Sequence, residues 1–571
     1  MSEVLTAAQM RAIEAAAIAS GAVTGLELME RAGAGVVAAV LEEWPEMALS
    51  PQRAVVLCGP GNNGGDGFVV ARLLAERGWA VEVYLYGDAA KLPPDARVNY
   101  ERWLEMGEVG TFSDLLAQHG WDSDLNLCFG GEKVIFFDAV FGTGLSRPLE
   151  FELAEFMQDA RDHTLGQTVT IDIPSGHCSD SGQALIEDDE EAINLNLSRC
   201  FDLCVTFHRA KIGHLLLDGA SASMHVRIVD IGLNSFRWNH HWGWSGGSAR
   251  DQDGSLSPVK WISPVNWIGV VGPKNPAFNF KISSPLSKHG QSHKFSHGHA
   301  LIVSGDHGHA GAARMAARAA LRIGAGLVTL ASPPGAMAEN AARLDAVMLR
   351  PVADASELAE VLVDARINAV CLGPGLGLDA RAAGLVQVAL ETSKLRVKLG
   401  AAQGLQLVLD ADALTLIARD AGLFALLHEG CVLTPHAGEF ARLFPDIAAK
   451  LAAPAVTGPA YSKVDATREA AARAGCVVLY KGADTVIAAP DERCSINAAV
   501  YERSAPWLAT AGAGDVLAGF ITGLLARGFA PMQAAETAAW LHVECARSFG
   551  PGLIAEDLPE ELPKVFRALG I

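Results

Sequence analysis

The chain has 571 residues, with 45 Lys and Arg against 65 Asp and Glu, a formal net charge of −20 and a hydrophobic content of 50%. That length exceeds what one core organises, and at roughly 150 residues per domain it suggests about three or four domains, or two if they are large α/β domains. The acidic surplus is spread along the chain without a basic cluster, so nucleic acid is excluded as a partner. The ten cysteines are scattered, as at Cys58, Cys128, Cys371 and Cys545, with no CxxC pair and Cys200/Cys204 as the closest spacing. This usage points to a reduced cytoplasmic protein and away from a disulfide or zinc framework. The N-terminal stretch has an early glutamate and no basic-then-apolar order, so it reads as an amphipathic helix and not as a signal peptide. No apolar run is long enough to span a bilayer, and no membrane partner is expected.

Two helical stretches open the chain, the second started by Thr24-Gly25-Leu26-Glu27, a capping-box pattern. Ala54 to Cys58 is an apolar run of the kind found in buried parallel strands. Gly59 to Phe68, GPGNNGGDGF, is predicted as a loop before an apolar helix over Phe68 to Arg77 and a strand over Val81 to Tyr86. This βαβ unit puts its loop at the carboxyl end of a strand, where open α/β sheets bind ligands. A turn accounts for two or three of the loop residues. It does not account for the whole run of Asn62, Asn63, Gly64, Gly65 and Asp66, which points to binding. Further on, the strand Val134 to Phe137 leads into Asp138-Ala139-Val140-Phe141-Gly142-Thr143-Gly144, and Val169 to Ile173 carries Asp172 and leads into Pro174-Ser175-Gly176. Three strand ends thus converge on one site. Asn63, Asp138 and Ser175 offer amide, carboxylate and hydroxyl oxygens, hard ligands suited to a monovalent or alkaline-earth cation. Each taken alone is also an ordinary cap or turn former.

The motifs NNGGDGF, DAVFGTGLSRP, DIPSG and TFHRAKIGHLL resemble the N-terminal domain of the NAD(P)H-hydrate epimerases, over residues 1 to 233. The resemblance implies a Rossmann-like three-layer parallel sheet that binds hydrated NADH or NADPH. It implies a potassium ion held by Asn63, Asp138 and Ser175, with Asp172 as the acid/base residue. Substrate contacts would fall on Asn62, Asn63, Gly64, Gly65 and Asp66, on Gly142, Thr143, Gly144, Leu145, Ser146, Arg147 and Pro148, and on Asp172.

Residues 234–292 change character, with Trp238, Trp242, Trp244, Trp261 and Trp267, a GGS and several prolines. They read as a linker that packs in part, because each indole gains by burial. An aromatic nucleic-acid platform would need more basic residues than are present. From His293 to the end a second α/β pattern runs: strand His299 to Ser304, loop GDHGHAG, helix Ala312 to Gly324 and strand Leu327 to Ala331. Ala369 to Leu372 then runs into GPGLG, Leu407 to Leu409 into DADAL, Cys431 to Leu433 into TPHAGE, and Val477 to Leu479 into YKGADT. Each apolar run meets a polar or glycine-rich corner, which predicts a second parallel sheet with its functional groups on one edge. Last comes LATAGAGDVLAGF, Leu508 to Phe520. Three small residues precede Asp515, and Val516, Leu517, Phe520, Ile521, Leu524 and Leu525 recur at helical spacing. Such a helix start attracts a phosphate beside a carboxylate able to take a proton from a hydroxyl. The alternative is a tight turn with Asp515 as its cap. His436, by itself, reads as a structural histidine before a catalytic one.

The ordered set GDHGHAGAARM, GPGLG, LDADAL, TPHAGEF, KGADT and TAGAGDVLAG resembles the ADP/ATP-dependent NAD(P)H-hydrate dehydratases, a branch of the ribokinase-like α/β fold, over residues 293–571. The resemblance implies nucleotide contacts at Lys481, Gly482, Ala483, Asp484, Thr485 and Gly514. It implies hydrated-substrate contacts at Ala312, Gly377, His436 and Asp515, with Asp515 catalytic, and Mg2+ accompanying ADP or ATP. Two local departures stand out, RSAPWLATAGAGD without a Gly-Asn pair, and HKFSHG in place of HKGxxG. The whole implies an enzyme that epimerises the two hydrates of NAD(P)H and dehydrates one at the expense of ADP or ATP. A homo-oligomer is expected. The competing reading is a ribokinase-like kinase of a stable small alcohol, with a non-catalytic interaction module in front.

Overall fold

The computed structural model describes residues 3–119, 128–129, 132–185, 201–235, 258–262, 285–288, 293–398 and 404–571. It divides into two compact units, one made of Glu3–Gly247 with Ala453–Ser462, the other of Ser248–Ala452 with Lys463–Ile571. Of the five tryptophans in the expected linker, Trp238, Trp242, Trp244 and Trp267 lie outside the described residues. Trp261 ends a short strand, Val259–Trp261, that pairs in parallel with Cys494–Ala498 of the second sheet.

In the first unit the strands β1 (Arg53–Cys58), β2 (Ala80–Leu85), β3 (Val109–Thr111), β4 (Ile135–Ala139), β5 (Gln167–Ile171), β6 (Phe201–Phe207) and β7 (Ser223–Val229) pair only in parallel, in the order β3-β2-β1-β4-β5-β6-β7. Side chains alternate between the faces of a strand, and both faces are covered. Ala54, Val56 and Cys58 lie in one apolar cluster with Met29, Val36, Phe68 and Leu74. Val55 and Leu57 lie in another with Leu115, Leu153 and Met157. This is the three-layer, Rossmann-like arrangement read from the sequence. The strand order reverses between β1 and β4, which opens a crevice at their carboxyl ends.

The predicted loop Gly59 to Phe68 is corrected: helix α1 spans Asn62–Glu76, so the Asn-Gly run is the first turn and a half of a helix. Asparagine and glycine are poor helix formers, but close packing overrides the propensity. A Cβ on Gly64 would lie 2.0 Å from the Gly59 carbonyl oxygen, and one on Gly59 would lie 1.9 Å from that of Val140. Only bare backbone fits between these strand ends. The capping box at Thr24 is present, with Thr24 N–H donating to Glu27 Oε2 at 2.8 Å and Glu27 N–H to Thr24 Oγ1 at 3.2 Å.

The second unit contains β8 (Val259–Trp261), β9 (His299–Val303), β10 (Leu327–Ser332), β11 (Met348–Pro351), β12 (Ile367–Leu372), β13 (Gln406–Leu409), β14 (Cys431–Leu433), β15 (Val477–Tyr480), β16 (Asp484–Ala488) and β17 (Cys494–Ala498). Their order is β8-β17-β16-β15-β14-β13-β12-β9-β10-β11. The expectation of a wholly parallel sheet is corrected here, because β16 runs antiparallel to both β15 and β17. A parallel crossover takes a dozen or more residues, and only Lys481 to Ala483 separate β15 from β16. KGADT is therefore a hairpin corner. The order reverses between β9 and β12, giving this sheet its own crevice.

Over that sheet, helix α2 (Gly311–Arg322) crosses helix α3 (Ala513–Ala526), which is buried from Val516 to Ala526. Gly519 and Gly523 make the contact possible, since a Cβ at these positions would stand 2.2 Å from Ala316 O and 2.6 Å from Ala320 O. At Gly519 the three nearest obstructing atoms are all backbone atoms of Ala316, so the helices must separate to admit a methyl group there. Gly519→Ala should therefore lower stability by about 1–3 kcal/mol, read as a drop in the urea midpoint at unchanged m-value. A neutral or raised midpoint would show that the two helices are not in close contact.

Candidate active sites

At the switch point of the first sheet, the start of α1 faces the loops after β4 and β5. Its first-turn N–H groups have no partner within the helix, and the Asn63 side-chain amide nitrogen is buried without one. Asp138 lies inside β4, one residue before its end, and not in the loop as expected. Its carboxylate is wholly buried and accepts from Ser175 Oγ at 2.6 Å, Ser175 N at 2.8 Å, Val140 N at 3.2 Å and Thr170 Oγ1 at 3.2 Å. Phe141 N donates to Ser175 Oγ at 2.9 Å. Burial raises the Asp138 carboxyl above its ordinary value even against these donors.

Asp172 follows β5 with φ of +70°, in the left-handed region. Its Oδ1 accepts from Lys211 Nζ at 2.8 Å and Thr206 Oγ1 at 3.0 Å, and its Oδ2 accepts from Thr143 N at 3.1 Å. The Lys211 ammonium, on a residue only 1% exposed, also donates to Thr206 Oγ1 at 2.7 Å. Burial alone would raise the Asp172 carboxyl. The Lys211 charge and hydrogen bond, with His214 and Thr143 behind them, overcome that and hold it below its usual value. Burial, Asp172 and Glu14 push Asp66 well above the carboxylate range. A Cβ on Gly142 would lie 3.0 Å from Asp172 Oδ2 and 3.1 Å from Asn63 Oδ1, so these two side chains meet over Gly142. The structure thus gathers Asn63, Asp66, Gly142, Thr143 and Asp172, and bonds Asp138 to Ser175 directly. Gly144 to Pro148 continue the loop after a turn in which Leu145 N donates to Gly142 O at 3.2 Å.

In the second unit Asp515 stands in the first turn of α3, behind Gly512, whose φ is +89°. Lys481 Nζ donates to Asp410 Oδ1 at 2.8 Å and lies 3.6 Å from Glu439 Oε2. A Cβ on Gly514 would be 3.5 Å from that ammonium. Burial first, then the charges of Asp410, Asp412 and Glu439 against that of Lys481, push the Asp515 carboxyl up to about 7. His436 caps the helix Ala437–Leu443, its Nδ1 accepting from Gly438 N at 3.0 Å while its own N–H donates to Glu439 Oε2 at 2.8 Å. It has the structural role left open above, and its half-exposed ring still faces outward. Gly377 donates its N–H to Asp412 Oδ2 at 2.9 Å, and Ala312 lies against Gly375. Within the hairpin corner, Gly482 N donates to Thr485 Oγ1 at 3.3 Å, Ala499 N to Ala483 O at 2.6 Å, and Lys463 Nζ to Asp484 Oδ1 at 2.5 Å.

Sequence reasoning did not assign Lys211, Asp410, Asp412, Glu439 or Lys463. The first four lie inside motifs already singled out, TFHRAKIGHLL, DADAL and TPHAGE, so the signal was in hand. Their charges gain meaning only from the partners that the fold supplies.

These features define a two-site α/β protein with a buried acid at the carboxyl edge of each sheet. The family described as NAD(P)H-hydrate dehydratase matches residues 300–564, and that described as YjeF-related protein N-terminus matches residues 25–213. The chain is 32% identical over 592 residues to the bifunctional NAD(P)H-hydrate repair enzyme of Moorella thermoacetica, covering 99% of this chain and 97% of that protein. The bifunctional repair enzyme of Coxiella burnetii is 32% identical over 558 residues, covering 96% of each. The NAD(P)H-hydrate epimerase of Rhodobacter capsulatus is 44% identical over 235 residues, covering 40% of this chain and all of that protein. The chain belongs to the family of bifunctional NAD(P)H-hydrate repair enzymes.

The electrostatics of the second site can be read without any substrate. Asp515 has an ordinary value of 3.8 and a folded one of about 7, so the fold favours its protonated form. The stability this contributes is complete below about pH 4 and is lost as pH rises through 7. Asp515→Asn, which stays neutral, should therefore gain in Tm over the wild type as pH goes from 5 to 7, with the gain level above 7. A gain independent of pH would mean that Asp515 is not held protonated.

Proposed function

We propose that the two units carry two reactions on one substrate, a hydrated NADH or NADPH. The first unit interconverts its R and S hydrates, and the second dehydrates the S form at the expense of ADP or ATP, restoring NAD(P)H. The observation that carries this reading is that the likeness to bifunctional repair enzymes runs through 99% of the chain, while each half keeps its own acid at its own crevice. The free thiols of the nine described cysteines, all buried, suit a reduced cytoplasm, and no helix among the described residues is long and apolar enough to cross a membrane.

The hydrate carries a hydroxyl on the ring carbon beside the ring nitrogen. In the second unit, Asp515 takes the hydroxyl proton, and the oxygen attacks the terminal phosphorus of ADP or ATP, breaking its bond to the bridging oxygen and releasing AMP or ADP. The phosphate then leaves with the C–O electron pair as the ring nitrogen lone pair moves in. Loss of a proton from the neighbouring ring carbon restores the dihydropyridine. Free N–H groups at the start of α3 and the Lys481 ammonium suit the charge on the transferred group, and the corner Lys481 to Thr485 would hold the nucleotide with its Mg2+. Only one epimer can present its hydroxyl to Asp515, which gives the first unit its purpose. There Asp172, held ionised by Lys211, faces the ring carbon where water leaves and returns, and the start of α1 with the loop Gly142 to Pro148 would receive the dinucleotide.

For the potassium ion, the donor set fits in chemistry. Asp138, Ser175 and Asn63 supply one carboxylate, one hydroxyl and one amide oxygen, a single negative charge suited to a monovalent ion. A cation there would offset the burial that now raises the Asp138 carboxyl. When bound, it would lower the repulsion between the dinucleotide phosphates and a protein of net charge −20.

Two assays test the reading. Hydrated NADH with ADP should yield NADH and AMP, and Asp515→Asn should reduce that yield by about 10²-fold or more while nucleotide still binds; near wild-type turnover would remove Asp515 from the chemistry. Epimerisation should be faster in potassium than in sodium buffer, and Asp138→Ala should abolish the difference and leave the ADP-dependent reaction alone. A folded Asp138→Ala protein with unchanged epimerisation in both buffers would reduce Asp138 to a turn-former.

A further inference from the structure

We propose that Asp410 is a positioning residue for the second site: it holds the Lys481 ammonium on its own carboxylate beside the first turn of α3, so that Asp515 is left as a base and not bound up as that lysine's ion-pair partner. The inference rests on the reading of Asp515 given above.

Asp410 follows β13 and is 1% exposed. Its Oδ1 accepts from Lys481 Nζ at 2.8 Å and from Thr434 Oγ1 at 2.8 Å, so its orientation is fixed from two neighbouring strand ends. The next residue, Ala411, has φ of +45°, a left-handed conformation that a side chain rarely adopts. That turn separates two tasks, with Asp410 directed to the lysine and Asp412 to the Gly377 N–H. A Cβ on Gly514 would lie 3.5 Å from Lys481 Nζ and 4.0 Å from Asp410 Oδ2, so the ion pair stands against the residue preceding Asp515. A lysine side chain is a flexible point charge. With Asp410 neutral, the ammonium keeps only Glu439, at 3.6 Å, and is free to turn to Asp515. A carboxylate paired in that way is a weaker base.

The groups facing Asp515 come from five directions. They are Asp410 and Asp412 after β13, Glu439 with His436 against it, Lys481 after β15, Cys371 in β12, and His542 of helix α4 (Pro531–Phe549), whose Nε2 lies 2.9 Å from Ala513 O. Burial pushes His542 down to about 4 and the Cys371 thiol well up, so neither carries charge between pH 5 and 9. The balance there is three carboxylates against one ammonium. Removing Asp410 shifts it most, because Asp410 is both the largest negative neighbour of Asp515 and the lysine's closest partner.

The test uses the full chain and two variants, Asp410→Asn and Thr434→Val, with two readouts. In nucleotide-free protein, the Tm gain from Asp515→Asn is measured from pH 5 to 9 in each background. It should open toward pH 7 with Asp410 present and vanish with Asp410→Asn, because an ion-paired Asp515 ionises without penalty. In the dehydration assay, the acid limb of kcat/KM should move down by at least one pH unit with Asp410→Asn, and the plateau should fall about tenfold or more. Thr434→Val removes only the hydroxyl, should shift both readouts the same way by less, and carries the test if Asp410→Asn does not fold. A residue needed only for folding would lower the plateau and leave the limb in place. A Tm gain and an acid limb unmoved in the folded variants overturn the proposal. A Tm gain that vanishes in a protein whose wild type does not dehydrate the substrate supports Asp410's role and removes the proposed reaction.

Discussion

An ammonium paired with carboxylates organises each site, fully buried at Lys211 and partly so at Lys481. Lys211 is almost without exposure and holds Asp172 ionised; Lys481 is shared by Asp410 and Glu439, and Asp515 beside it is pushed up to about 7 by burial and the neighbouring carboxylates, against the lysine's charge. Taking a lone charge out of water costs several kcal/mol, so neither lysine is tolerable without its partners. The two sites use the same device to opposite ends. In the first the lysine sits on the acid expected to face the substrate, and in the second it sits beside it, on another carboxylate.

The architecture makes such pairs possible because a parallel sheet delivers every strand to the same edge. Asp138, Asp172 and Thr206 come from successive strands of the first sheet, and Asp410, Thr434 and Lys481 from successive strands of the second. Two of the corners are strained, Asp172 at φ +70° and Ala411 at φ +45°. Non-glycine residues hold such conformations only where surrounding contacts fix them, and here those contacts include the lysines. Where bulk is forbidden outright, as at Gly59 and Gly64, the constraint is backbone against backbone.

Much of this was legible in the sequence. Alternation of apolar runs with polar corners located both sheets, and the capping box at Thr24 was readable from four residues. Asp515 stood out because small residues preceded it and an apolar helical period followed. Errors arose where local preference and packing disagree. NNGGDGF reads as a loop by propensity and is a helix because Gly59 and Val140 leave room only for bare backbone. YKGADT reads as the end of one more parallel strand, but three residues cannot make a crossover, so a hairpin forms.

The sequence by itself determined most of the element types, the two-sheet plan, the family and the polar residues at the strand ends, since these depend on periodicity and short-range pattern. Tertiary structure alone decided which charge meets which. Lys211 reaches Asp172 across 39 positions and Lys481 reaches Asp410 across 71. A carboxyl's proton affinity depends on burial and on charges a few ångströms away, and no one-dimensional pattern records those distances.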